Sequence, residues 1–329
     1  MYKKEPFYER AICWDIMILC VIAIDLALLY AVIVWTAGIA EWVTGAILLI
    51  DLGLVLYGSF IEPRFISLNT KNVHILPLPA IKIGIVADFH VGPYKQAEFV
   101  QKSVDLMNAQ KPDIIFVVGD FLFDYHADLS SLAPLQKLKA PLGVIAVMGN
   151  HDSGDHVTFG KRKFRTMDRT GEITSMLKTF GWTVLRDESI TIDVHGKKIA
   201  IAGVDKSWKE LMDMKTTLEN VPTGMPLILL SHSPDVILLD AHQRAALIVS
   251  GHTHGGQMRL PLIGSLAPIP SELGRAYDRG IFTLKSGTIL AITQGVGETM
   301  ARARLFCPPE IMMLEVNREG AKVDNVEKV

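Results

Sequence analysis

The chain has 329 residues, three cysteines and a formal net charge of −2. That length supports one large domain or two modest ones, and the charge gives a nucleic-acid partner no global electrostatic support. Cys13 and Cys20 lie in an apolar run and Cys307 lies far downstream, which excludes a disulfide framework and a CxxC zinc site.

Residues 11–37 are almost continuously apolar, and a second apolar run covers 42–61. Each is about the 20 residues needed to cross a hydrocarbon core. Aromatic residues flank both runs: Phe7, Tyr8 and Trp14 at the start, Trp35 and Trp42 at the turn, Tyr57 and Phe60 at the exit. Only Gly38-Ile39-Ala40-Glu41 separates the runs, so residues 1–64 read as a transmembrane helical hairpin. Lys3, Lys4 and Arg10 precede it, Arg64, Lys71 and Lys82 follow it, and the turn carries no basic residue. The positive-inside tendency then predicts a multi-pass protein of the inner (cytoplasmic) membrane, with everything after residue 64 facing the cytoplasm. A cleaved signal peptide fits poorly, because the first run is too long and a second follows. Asp25 and Asp51 interrupt the runs at matching depth, as a protonated pair, an oligomer contact or a functional pair.

Residues 65–80 read as a linker and 81–329 as one folded domain. Residues 81–87 form a buried strand ending at Asp88-Phe89-His90. Residues 95–110 have helical spacing in Phe99, Val100, Val104, Leu106 and Met107, with Pro112 as the stop. Residues 114–118 form the next strand, ending in Gly119-Asp120. Residues 130–139 are predicted helical. Residues 144–148 form a strand ending in Gly149-Asn150-His151-Asp152, and 227–230 one ending in Ser231-His232. The run 246–249 leads into Gly251-His252-Thr253-His254.

Five apolar strands therefore each end in a ligand-type residue. In α/β sheets, sites form beyond the carboxyl ends of strands, so Asp88, His90, Asp120, Asn150, His151, His232, His252 and His254 are expected to converge. Carboxylate, imidazole and amide oxygen together suit Mn, Fe or Zn. They are too many for one four-coordinate ion and fit two divalent ions sharing a bridging carboxylate.

This motif set resembles the calcineurin-like metallophosphoesterases: DxH at Asp88 and His90, GD at Gly119-Asp120, GNHD at 149–152, a lone His232, and GHTH at 251–254. The resemblance covers residues 81–316 and implies a four-layer α/β/β/α sandwich with a dinuclear centre. It implies that Asp120 bridges the ions, that Asp88, His90 and His254 complete one site, and that Asn150, His232 and His252 complete the other. It further implies that His151 faces the phosphate as general acid or charge stabiliser, with Asp152 orienting its ring. A vestigial site on a membrane scaffold would have lost ligands, whereas every motif position here is filled.

His90-Val91-Gly92-Pro93, Gly255-Gly256-Gln257, Pro261 with Gly264, and Cys307-Pro308-Pro309-Glu310-Ile311 are similar to a membrane-associated branch of that family. That branch includes the UDP-2,3-diacylglucosamine pyrophosphatase of the lipid A pathway, and other members are phosphodiesterases. The stretch 297–304 departs from the branch pattern. The resemblance implies a lipid-linked or nucleotide-linked phosphate substrate.

Lys161, Arg162, Lys163 and Arg165 form a basic insert after His151, and Arg302 and Arg304 form a second basic pair. Such residues either line a solvated helix face or grip a phosphate-bearing substrate. Residues 258–270, rich in Leu, Ile and Pro, either receive an acyl chain or pack on the sheet.

Overall fold

The short apolar runs are strands buried on both faces, and the computed structural model shows why each is apolar throughout. It describes residues 11–35, 38–157, 163–317 and 327–328. Two helices come first, α1 (Ala11–Trp35) and α2 (Ile39–Leu56), the second running on through a π turn at Tyr57–Ile61 and a 3-10 turn at Glu62–Arg64. Both are long and apolar enough to cross a membrane. They pack on each other where a Cβ on Gly45 would touch Val32. Asp25 is buried and lies against Asp51 of the second helix, so the two aspartates do share a depth.

The first half of the domain comprises β1 (Ser67–Val73), β2 (Ile81–Val86), α3 (Ala97–Ala109), β3 (Ile114–Val118), β4 (Val144–Val147), the one-turn α4 (Asn150–Ser153), β5 (Asp155–Val157), β6 (Lys163–Arg165), α5 (Thr170–Thr179) and β7 (Thr183–Val184). The second half comprises β8 (Glu188–Val194), β9 (Lys197–Gly203), α6 (Met214–Leu218), β10 (Leu227–Leu230), β11 (Leu247–Ser250), β12 (Arg259–Leu260), β13 (Gly264–Ser265), β14 (Gly280–Thr283), β15 (Ile289–Ile292), β16 (Glu310–Val316) and β17 (Glu327–Lys328). One sheet has the order β1-β16-β2-β3-β4-β7 and the other β17-β14-β15-β11-β10-β9-β8. β2, β3 and β4 are mutually parallel, as are β9, β10, β11 and β15.

Side chains alternate between two destinations. Ile83, Ile85, Phe116, Val118, Ile145 and Val147 face the second sheet, meeting Ile201, Ile228, Leu230, Leu247 and Val249. Ile115, Val117 and Ala146 point the other way, onto Val104 and Met107 of α3 and Ile173 and Leu177 of α5. The second sheet backs onto Met214 and Leu218 of α6. The result is the expected four-layer α/β/β/α sandwich.

Two expectations need correcting. The expected linker contains β1, which pairs in parallel with β16 over its whole length, so residues 67–73 belong to the first sheet. Its sequence, SLNTKNV, is polar because it is an edge strand with one exposed face. The helix expected over 130–139 is a 3-10 segment, Leu129–Lys137, because Pro134 lies inside it and removes an amide donor.

Phe116, fully buried between the sheets, measures this core. Phe116→Ala is expected to cost about 3–5 kcal/mol, read as a lowered melting temperature in detergent with the helical signal of the hairpin retained.

Candidate metal centre

The carboxyl ends of β2, β3 and β4 in one sheet and of β10 and β11 in the other meet at one edge of the sandwich. Backbone bonds knit the loops there: Asp88 N–H donates to Gly119 O at 2.9 Å, His90 N–H to Asp120 O at 3.1 Å, and Gly251 N–H to His232 O at 3.0 Å. His252 N–H donates to the Asp88 carboxylate at 3.2 Å, joining the two sheets directly. Asp88, His90, Asp120, His252 and His254 all have left-handed backbone, with φ between 44° and 69°. That conformation is uncommon for residues bearing a Cβ, and clusters of it mark functional loops. A Cβ on Gly149 would strike the Asp120 carboxylate, so the glycine of GNHD is a packing requirement.

The side chains fall into ligand-sized groups. Ligand atoms of Asp88, His90 and His254 lie within 4.8 Å of one another, and so do those of Asp120, His232 and His252. Asp120 Oδ2 sits between the groups, 3.5 Å from His90 Nε2 and 3.1 Å from His232 Nε2. Backbone carbonyls fix the ring orientations. His90 Nδ1 donates to Leu122 O at 3.1 Å, His232 Nδ1 to Val118 O at 2.7 Å, and His252 Nε2 to Pro270 O at 2.6 Å. The opposite nitrogen of each ring is thereby turned inward as a lone-pair donor.

Electrostatics favour a cation at this place. Burial, reinforced by the charge on His232, holds His252 down to about 3, and burial keeps His90 and His254 well below the usual imidazole range. Burial also opposes a charge on His232, but the carboxylates of Asp120 and Asp88 outweigh it and raise that ring to about 9. Burial pushes Asp88 up to about 7, whereas His232 and His151 hold Asp120 well below the carboxylate range against its own burial. The Asn150 side-chain oxygen is buried without a protein partner, as a metal-facing amide oxygen would be. The donor set, its spacing and this orphan oxygen all fit a pair of divalent ions.

His151 flanks the cluster. Its N–H donates to Asp120 Oδ1 at 2.9 Å, and its ring stands edge-on to His90 with centroids 4.6 Å apart. The expected partner of that ring was Asp152, and this is corrected: His151 Nδ1 donates to Phe123 O at 2.6 Å. Asp152 is wholly occupied with backbone amides. Its Oδ1 accepts from Phe121 at 2.9 Å and Leu122 at 3.2 Å, and its Oδ2 accepts from Gly149 at 2.9 Å.

The expected substrate-binding residues fare differently. Arg304 is corrected to a structural role, because it is fully buried and donates to the carbonyls of Gln294, Gly295, Gly297 and Cys307. Arg302 pairs with Asp15 of α1 at 3.1 Å and lies 4.9 Å over the Tyr94 ring. Lys161 and Arg162 lie outside the described residues. Lys163 and Arg165 lie on β6, which pairs antiparallel with β5, so this part of the insert is a ribbon rather than a helix face.

Sequence reasoning passed over Glu62, Lys95 and Glu298, which seat α2 on the catalytic loops. Glu62 accepts the Phe306 amide at 2.9 Å and the Cys307 amide at 2.5 Å. Lys95 pairs with Glu298 at 3.1 Å and donates to the Pro63 carbonyl. Burial pulls the Lys95 ammonium down to about 8 against the pull of Glu298. The only sequence signal was their isolation as charges beside apolar or glycine-rich stretches.

A bridging carboxylate between two imidazole-rich groups, at the strand ends of a double-sheet sandwich, defines the class as a dinuclear metallohydrolase. Residues 81–256 match the family of calcineurin-like phosphoesterases. The chain is 30% identical to the uncharacterised metallophosphoesterase YkuE of Bacillus subtilis, over 78% of this chain and 87% of that protein. It is 30% identical to the phosphodiesterase YaeI of Escherichia coli, over 79% and 92%. It is 25% identical to the UDP-2,3-diacylglucosamine pyrophosphatase LpxG of Chlamydia muridarum, again over 79% and 92%. This chain belongs to the calcineurin-like metallophosphoesterase family and is a metal-dependent phosphoesterase.

Asp152→Asn keeps the shape but sets an NH2 against backbone N–H donors. It is expected to destabilise the fold by about 2–4 kcal/mol, seen in denaturant titration, and to lower the bound metal in elemental analysis.

Proposed function

We propose that the protein is a membrane-anchored hydrolase of a phosphodiester or pyrophosphate bond. The observation that carries this reading is the convergence of Asp88, His90 and His254 with Asp120, His232 and His252 around one shared carboxylate. In this reading Asp120 would be shared by the two groups that would hold divalent ions, Asn150 would complete the second group, and manganese would be the favoured metal, with iron or zinc as alternatives. Bound there, the ions supply Lewis-acid polarisation of a phosphoryl oxygen and activation of water. His151, its Nδ1 held by the Phe123 carbonyl, uses Nε2 to protonate the departing oxygen. Lys163 and Arg165, with Lys161 and Arg162, grip a second phosphate or a headgroup.

The favoured substrate is UDP-2,3-diacylglucosamine, cleaved to UMP and 2,3-diacylglucosamine 1-phosphate in lipid A biosynthesis. Two features support it: the apolar helical pair, and the likeness to a protein named for that reaction. The pair crosses the inner membrane twice and leaves the catalytic domain on the cytoplasmic side. A second reading, a broad phosphodiesterase, is favoured by the tail. Arg304 is fully buried on backbone carbonyls and Arg302 pairs with Asp15, so the tail lends the acylated nucleotide no particular support.

The test uses detergent-purified protein with Mn²⁺, assayed on UDP-2,3-diacylglucosamine and on bis-p-nitrophenyl phosphate. Asp120→Asn is expected to lower kcat/KM by about three orders of magnitude on either substrate. His151→Gln is expected to lower kcat by about 10²- to 10³-fold with metal content unchanged. Equal activity of both variants and the parent would refute the assignment, and cleavage of the generic diester alone would favour the second reading. Chelation is expected to lower the melting temperature by about 4 °C or more, reversed by Mn²⁺.

A further inference from the structure

The chain just beyond the second His pair makes a small β-hairpin, β12 and β13, paired through Arg259 with Ser265 and Leu260 with Gly264. Its tip is strongly apolar and unprotected. Leu262 is fully exposed, Ile263 is 61% exposed and Leu266 is 48% exposed. Leu262 also adopts φ 67°, a turn position that a water-facing loop ordinarily fills with Gly or Asn. Phe306, 45% exposed, joins the same patch across a cavity of about 450 Å³ that its ring and the tip line together. Arg259, Arg275, Arg279 and Asp278 also line that cavity; Arg259 pairs with Asp278 and Arg279 donates to Gln294 at 2.8 Å, while Arg275 is exposed.

This patch continues from the end of the second apolar helix. The Phe306 amide donates to Glu62, within the last turn of that apolar segment. Leu305 packs on Gly58, and the Arg304 amide donates to Gly58 O at 2.8 Å. Leu305 in turn exchanges backbone bonds with the start of the small hairpin, Arg259 N–H to Leu305 O at 2.8 Å and Leu305 N–H to Gln257 O at 3.0 Å. An apolar tip with a cationic base, fixed to the exit of a membrane-length helix, has the composition of an interfacial anchor.

We propose that residues 260–266 and Phe306 form a third membrane contact, a wedge that sits in the acyl–headgroup boundary of the leaflet with Leu262 and Ile263 inserted and the exposed Arg275 at the level of anionic headgroups. The inference rests on α1 and α2 spanning the membrane, and it deepens the proposed function. The wedge is tied at both ends to the metal centre: Arg259 donates to Gly255 O at 2.6 Å, and His252 donates to the Pro270 carbonyl at 2.6 Å. It therefore sets the height of the site above the bilayer and suits a phosphoester presented by a lipid.

The experiment places single tryptophans, Leu262→Trp or, as a second variant, Ile263→Trp, in the full chain. Lys285→Trp, in the exposed turn between β14 and β15 at the opposite end of the second sheet, is the control. Each protein is reconstituted in nanodiscs of phosphatidylcholine and phosphatidylglycerol with plain or dibrominated acyl chains. Emission is compared with the parent, whose Trp14, Trp35 and Trp42 lie in the apolar helices. The expected result is that brominated lipid quenches the extra emission at 262 and 263 by about half or more, and leaves that at 285 unchanged. Quenching of the parent tryptophans without quenching at 262 or 263 would overturn the wedge while leaving the spans intact. Absence of quenching in the parent would overturn the spans and the wedge together.

Discussion

The carboxylate of Asp152 makes the catalytic edge possible. Buried and out of reach of solvent, it accepts amides from the loop after β3 and from Gly149 after β4. Those two loops deliver Asp120, Asn150 and His151. With the amides satisfied, the loops hold left-handed backbone at Asp120 that would otherwise be disfavoured. The role resembles that of a helix cap, one acceptor answering several orphan donors, transferred to a place where two strands end side by side.

A second buried network extends this order to the apolar helices. Arg304 collects four carbonyls around Gly295 and Gly297, and Gly297 N–H donates to Asp88 O at 2.6 Å. Glu298 lies beside Arg304 and pairs with Lys95, and Lys95 reaches Pro63. A buried charge is costly unless paired and hydrogen-bonded, and here Lys95 and Glu298 pair across two segments while Arg304 is satisfied by carbonyls of its own. The helical pair is thus seated on the same loops that hold Asp88.

How much was legible in the sequence follows from the range of each interaction. Strands such as 114–118 and 227–230 were plain because burial on both faces leaves only apolar residues. The ligands were plain because each lies just past such a strand. β1 was hidden, since an edge strand is polar on one face and its partner, β16, lies some 240 residues away. The roles of Asp152 and Arg304 were misread for a related reason. A carboxylate beside a histidine and an arginine near a proline-rich tail suggest chemistry. Only the packed structure shows that backbone amides and carbonyls had already claimed them.

The position of β16 also has a consequence for biogenesis. It is among the last strands made, yet it occupies the slot between β1 and β2, parallel to one and antiparallel to the other. During synthesis the apolar helices emerge before β1 and β2, which follow as two separate unpaired edges. They stay so until residue 316 has left the ribosome, because nothing else in the first sheet fills that gap. The two apolar helices are therefore complete before the first sheet can close. Shortening the chain before Val316 would leave the first sheet with an open seam between β1 and β2.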